Sequence, residues 1–464
     1  MTLNNILKSI LFSTSVFSIA SSLPLDDFSD IQGPYCETIG CCQSRQDGCS
    51  FPVLGTLCYC DEFCTNMEVE DCCPDFYPVC RHINITTTIR PFITTRRPPP
   101  PPAPSTSCLY NGRALFFKQK VKDNCNLCEC TEVNGKLELL CETNVCLMDR
   151  NIIESVNLEQ DMLGWRATNY SEFWGRTLDE GVRYRLGTLI PQSFVMRMNP
   201  VRRIYDIHSL PRNFDSEEIW PRYISGIQDQ GWCGASWAIS TAAVASDRYA
   251  IVSRGLEEVK LSAQNLLSCD TMGQQSCEGG HLDRAWSFIK KFGLVDEECF
   301  PYVAGNEPCT IRRSGKLIES GCKPPRFSER TRRYTVGPAY RLGNETDIMY
   351  EITKSGPVQA TMKVHHDFYS YEGGIYRHSD LNYGQKTGYL SVRIVGWGEE
   401  YTSRGIQKYW KVANSWGTQW GENGYFRIVK GTNECEIESF VLGTWPHVDR
   451  KILLAHGRRN SNRI

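Results

Sequence analysis

The chain has almost no net charge: 51 Lys and Arg stand against 53 Asp and Glu, for a formal charge of −2. That balance gives no global argument for a nucleic-acid partner, which calls for a basic face. After its first two dozen residues the chain also lacks any long apolar run. A membrane-spanning helix needs about 20 consecutive apolar residues, so no span is expected. The third scarcity is local. Of 23 cysteines, sixteen precede residue 150 and only seven follow it. Cysteine at that density in one third of a chain reads as small disulfide-stapled modules in an oxidising compartment.

What is present fits secretion. Lys8 precedes the apolar run "ILFSTSVFSIA" and the small residues Ser21 and Ser22, which is the pattern of a cleaved signal peptide over residues 1–22. Asn84, Asn169 and Asn344 each open an Asn-X-Ser/Thr acceptor for glycosylation. Residues 36–80 hold ten cysteines in a segment too small to bury a sufficient core. Disulfides must fold it, at about 2–4 kcal/mol each. The run "CYCDEFCTNMEVEDCCPDFYPVC" supplies Cys58, Cys60, Cys64, Cys72, Cys73 and Cys80. In its spacing this resembles a somatomedin B domain, which implies a knot that binds proteins. The difference is one extra pair among Cys36, Cys41, Cys42 and Cys49, so connectivity stays open. Metal binding by the C-x-C cluster is the competing reading; secretion and the even count argue against it, and no metal or cofactor is expected anywhere in the chain.

Residues 81–107, with "RRPPPPPAPSTS" at their end, form a Pro/Thr-rich spacer with polyproline character. Residues 108–146 carry six cysteines around "CNLCEC" and are similar to a von Willebrand factor type C module. From residue 150 the character changes to Trp-bearing, amphipathic stretches long enough for a large core. Residues 447–464 are a basic tail with Arg458, Arg459 and Arg463; Arg330, Arg332 and Arg333 form a second basic cluster. Either group could touch sulphated glycans or simply be solvated.

The chemistry-bearing stretch is "QGWCGASWAIS", residues 230–240. It is followed by "CEGG" at 277–280, "GPVQA" at 356–360, "SVRIVGWG" at 391–398 and "YWKVANSWGTQWGENGYFRI" at 409–428. In this order the motifs resemble cathepsin B and imply an α+β, papain-like two-lobed domain over 210–446, with a helical lobe and a β-barrel lobe. "DMLGWRATNYSEFWG" within 150–209 is similar to its prosegment, which in such proteases lies in the substrate groove. The resemblance makes Gln230 the oxyanion-hole side chain, Asn414 the residue that orients the catalytic histidine, and Trp416 the indole that shields that pair. It puts Ser236 at the nucleophile position and Leu390 at that of the histidine. An alcohol without a base is inert, and losing nucleophile and base together costs about a million-fold in turnover.

No other residue is expected to substitute. The resemblance pairs Cys233 with Cys277, Cys269 with Cys309 and Cys299 with Cys322, leaving Cys435 as a buried thiol or an intermolecular bridge. His281 lines the groove beside Gly279 and Gly280, which allow a peptide backbone to approach. Phe440 replaces a groove carboxylate. His365, His366 and His378 read as ordinary strand-and-turn residues.

The module order as a whole is similar to the tubulointerstitial nephritis antigen family. It implies a secreted, non-proteolytic protein that binds extracellular-matrix proteins or cell-surface receptors. The alternative is a regulator that captures peptides, protease prosegments or secreted signalling ligands in the retained groove; a third reading is a residual Ser236-dependent hydrolase.

Overall fold

The computed structural model describes residues 35–449 apart from 44–47, 54–55, 66–71, 74, 82–106, 197, 202, 314–316, 321, 323–331, 380–383 and 404. The signal peptide, the Asn84 acceptor, almost all of the Pro/Thr spacer, Arg330 and the arginines of the tail therefore lie outside the described residues. The chain divides into two compact units, residues 1–100 and 101–464.

The first unit is cysteine-cored. Its buried apolar residues are Cys36, Cys49, Cys58, Cys60, Cys64, Cys73 and one ring, Phe76. Five disulfides close it: Cys36–Cys60, Cys41–Cys80, Cys42–Cys49, Cys58–Cys73 and Cys64–Cys72. Of the four cysteines that carry the extra pair, only Cys42 and Cys49 bond to each other.

In the second unit, residues 108–146 make short antiparallel ladders stapled by Cys108–Cys130, Cys125–Cys146 and Cys128–Cys141. This module is bonded to the chain that follows. Asn124 Nδ2 donates to Met148 O at 2.6 Å, and its Oδ1 accepts from Gly175 N at 2.9 Å. His366 Nε2–H donates to Cys146 O and Leu147 O at 2.9 and 3.0 Å. Buried at the seam between module and sheet lobe, His366 is thus more than a turn residue.

The rest of this unit is papain-like, with two apolar cores. The helical lobe centres on α1 (Ser236–Val252), whose residues from Ser236 to Ala250 are all buried. A helix with no polar face belongs inside a domain. Around it pack α2 (Ala263–Cys269) and α3 (Leu282–Phe292). The latter turns Leu282, Ala285, Trp286 and Ile289 inward, the i, i+3, i+4, i+7 stripe of an amphipathic helix. Cys233–Cys277, Cys269–Cys309 and Cys299–Cys322 tie its loops.

The second lobe is a sheet. Its strands are β1 (Trp165–Ala167), β2 (Tyr340–Leu342), β3 (Val358–Val364), β4 (Tyr371–Tyr376), β5 (Gly388–Thr402), β6 (Gly405–Ala413), β7 (Tyr425–Val429) and β8 (Val441–Gly443), in the order β2-β8-β3-β5-β6-β7-β4-β1; Phe214–Asp215 pairs beside β5. The β3–β5 ladder, from Val358 opposite Ile394 to Val364 opposite Gly388, backs onto α1. No helix among the described residues is long and apolar enough to cross a membrane.

Candidate functional site: a groove closed by the chain itself

Ser236 opens α1, and the residue before it, Ala235, caps the helix with no side-chain hydrogen bond. An uncapped helix start leaves backbone N–H groups unpaired and concentrates positive dipole there. In a peptidase that field favours a thiolate; here it falls on an alcohol. Ser236 is fully buried. Its Oγ accepts from Ser391 N at 3.3 Å and lies 3.1 Å from Thr188 Oγ1. Ser391 Oγ in turn lies 2.7 Å from Ser240 Oγ. Among the described residues no histidine bonds to Ser236.

Thr188 belongs to residues 187–189, a strap that crosses the groove and bonds to both lobes. Gly280 N donates to Gly187 O at 3.0 Å, and Leu189 N donates to Gly280 O at 2.9 Å. On the other side Thr188 N donates to Tyr389 O at 3.0 Å. Gly187 has φ +96°, and a Cβ there would meet Gly234 O at 2.0 Å, so only glycine brings the strap this close. Gly279 and Gly280 do admit a backbone, and it is the chain's own.

The strap hangs from Arg185, whose side chain is fully buried. Its guanidinium pairs with Glu172 Oε1 at 2.9 Å and Asp229 Oδ1 at 3.3 Å and donates to Gly231 O at 2.8 Å. It also lies 4.9 Å from the Phe173 ring centroid. Burial pulls the Arg185 pKa below its usual value, with Glu172 and Asp229 opposing. Burial likewise raises the Glu172 carboxyl, with Arg185 opposing it and Asp229 adding to it.

The side chains expected to serve catalysis are otherwise engaged. Gln230 Nε2 donates to Cys233 O at 2.9 Å and to Tyr184 O and Leu186 O at 3.3 Å. Its amide therefore faces carbonyls of the chain just before the strap. Leu390 is fully buried on β5, opposite Met362, in the core that also holds Leu186. Asn414 Oδ1 accepts from Ser415 N at 2.8 Å, whereas its Nδ2 is buried with no hydrogen-bond partner. It borders a cavity of about 20 Å³ together with Ser240 and Ser391. Trp416 stacks on Tyr369 with centroids 5.1 Å apart, and its Nε1–H donates to Arg185 O at 2.6 Å. The indole thus bonds to the backbone just before the strap.

Two placements need correction. Phe440, expected on the groove wall, is 1% exposed and belongs to the helical-lobe core, a cluster that also includes Val195 from the region before the domain. The ring is core packing here. Arg332 and Arg333, expected as free basic surface, bond to Glu257 and to Arg312 O respectively. His281 is half-buried next to Gly280, with its imidazole held below its usual pKa by burial and by Arg284. Asn169 and Asn344 are exposed, and Asn344 Oδ1 caps the helix Glu345–Ser355. Cys435 is a buried free thiol.

Comparison with known proteins agrees with this geometry. Residues 210–445 match the family model described as papain family cysteine protease. The chain is 44% identical to "Tubulointerstitial nephritis antigen-like" of Homo sapiens, over 93% of this chain and 92% of that protein. It is 41% identical to "Tubulointerstitial nephritis antigen" of Bos taurus, over 89% and 87%. Among solved structures, "proCathepsin B S9 from Trypanosoma congolense" aligns with a TM-score of 0.56 at 31% identity, covering 66% of this chain and 100% of that one.

Proposed function

This chain belongs to the tubulointerstitial nephritis antigen family of papain-like proteins, and from that premise we propose that it is a secreted extracellular-matrix binding protein whose peptidase domain is closed and non-catalytic. The observation that carries the reading is the environment of Ser236: a buried hydroxyl whose partners are a threonine hydroxyl and a backbone N–H. Nothing there accepts its proton as an imidazole would. Asn414 supports it as well: its Oδ1, the atom that would accept an imidazole N–H, is taken by Ser415 N.

In this reading the domain is a scaffold. The knot at 36–80 forms a compact unit of its own and presents the partner-binding surface, with glycans at the exposed Asn169 and Asn344. Capture of foreign peptides in the groove would require residues 187–189 to leave, and a serine hydrolase would require a base, so neither alternative is adopted. Retention on basement-membrane extract tests the binding role. The full chain is expected to be retained and a chain lacking residues 36–80 to be lost, at equal secretion. Equal retention of the two would refute the assignment to the knot, and failure of the full chain to bind would refute the matrix role.

A further inference from the structure

Three donor side chains far apart in sequence meet in the sheet lobe. His365 follows the end of β3, His378 lies just beyond β4, and Cys435 sits in the 3-10 turn Glu434–Glu436. A ring nitrogen of each histidine and the Cys435 sulfur all lie within 4.8 Å of one another. The two imidazoles are stacked, with centroids 4.5 Å apart. We propose that His365, His378 and Cys435 form a zinc site, with Glu434 orienting His378 and water completing the coordination.

The donor set is the first argument. Two imidazoles and a thiolate are borderline-to-soft ligands, a combination that suits zinc and not calcium or magnesium. Distance is the second. Zn–N bonds of about 2.0–2.1 Å and a Zn–S bond of about 2.3 Å place tetrahedral donors about 3.3–3.6 Å apart. Closing from a 4.8 Å spread to that edge requires the stacked imidazoles to turn so that their lone pairs converge on one ion.

A ligating imidazole usually has its second nitrogen bonded to a carboxylate, which fixes the tautomer and the ring plane. His378 meets that requirement: its Nδ1–H donates to Glu434 Oε1 at 2.8 Å, and its backbone N–H reaches the same oxygen at 3.2 Å. That leaves Nε2 as the ring's lone pair. The same carboxylate oxygen is 3.6 Å from Cys435 Sγ. Asp367 and Glu436 add negative potential at the thiol, while Lys363 and Arg377 are the nearby cations.

The backbone presents the sulfur in an unusual way. Asn433, Cys435 and Glu436 have φ of +54°, +49° and +62°. Non-glycine residues keep such angles only where surroundings over-determine them, and such strain gathers at sites. Cys435 is also the one thiol left free among 23 cysteines, at 8% exposure. On binding, the Cys435 Sγ–H proton passes to solvent as the S–Zn bond forms. The histidines bind through neutral nitrogens, and no oxidant or reductant is involved.

The full secreted chain, stripped with a chelator and equilibrated with zinc alone, is expected to retain one zinc per molecule. With cobalt(II) instead it should show a thiolate-to-cobalt charge-transfer band and tetrahedral d–d bands. Cys435→Ser should remove the charge-transfer band, and Glu434→Gln should weaken zinc about 10–100-fold. His208→Gln, at an exposed turn, should change neither. A wild-type cobalt spectrum without a thiolate band overturns the site whether or not the variants fold. Zinc retention unchanged by Cys435→Ser would overturn it as well.

Discussion

Thr188 Oγ1 lies 3.1 Å from Ser236 Oγ, and the two residues are 6% and 0% exposed. A residue of the chain's own strap therefore sits on the hydroxyl at the head of α1. In the proposed reading, chemistry and access are blocked by different residues: Leu390 where a base would be needed, and the strap where a substrate would lie. The two blocks can be tested one at a time.

Gly187 sets the strap's depth. With φ +96° and a virtual Cβ 2.0 Å from Gly234 O, Gly187→Ala cannot be accommodated without moving backbone. Strain of about 1–3 kcal/mol is expected, released by lifting the strap while the lobes stay folded. Limited proteolysis should show new cleavage around residues 182–190, with little change in circular dichroism. Unchanged resistance would mean the contact with Gly234 does not hold the strap.

Arg185 is the anchor. Arg185→Met keeps much of the apolar stem but removes the charge and its bonds to Gly231 O and Trp416 O. Its carboxylate partners Glu172 and Asp229 are 44% and 47% exposed, so water recovers part of the lost pairing. A loss of about 1–3 kcal/mol is expected in urea unfolding, drawn from lost buried hydrogen bonds and the contact with Phe173. A neutral result would remove Arg185 from the account.

Acid stability should report the buried pair of Glu351 with Arg248, both fully buried and 2.9 Å apart. Burial pushes the Glu351 carboxyl up, but Arg248, Tyr340 and Arg203 outweigh it and hold it below its usual value. A carboxyl with a depressed folded pKa contributes stability that is present above its unfolded value, about 4.3, and lost as pH falls through the folded one. Wild-type stability should therefore fall on acidification below about pH 4. Glu351→Gln should flatten that limb and cost about 3–5 kcal/mol at neutral pH by stranding Arg248. An unaltered acid limb would show that Glu351 is not its source.

Much of this was legible in the sequence because cysteine and glycine positions constrain local geometry strongly. The three pairs Cys233–Cys277, Cys269–Cys309 and Cys299–Cys322 are those the resemblance to cathepsin B implies, and the small apolar run after Cys233 suits the helix that starts at Ser236. Which residue would cover Ser236 was not legible, because nothing local distinguishes Thr188 from its neighbours. The anchor Arg185 was missed because a charged residue reads as surface until its partners at 172 and 229 are placed. Phe440 was misread because its substitution for a polar residue suggests an apolar groove wall, whereas the chain folds it into a core. His365, His378 and Cys435 carry no shared local motif, and their meeting depends on how β3, β4 and the turn after β7 come together. Knot connectivity is invisible for the same reason: ten cysteines in one small segment leave too many pairings for spacing to choose among.

The most direct measurement is turnover of a cathepsin-type peptide amide by purified Gly187→Ala, whose groove is expected to open, beside the native chain, beside Ser236→Ala on the Gly187→Ala background, and beside the same background carrying Ser236→Cys with Leu390→His. The account predicts no turnover above buffer from the native chain or from Gly187→Ala alone, and recovery only where thiol and imidazole are both restored. Turnover by Gly187→Ala that Ser236→Ala abolishes would contradict it, because opening the groove would then have uncovered a working serine.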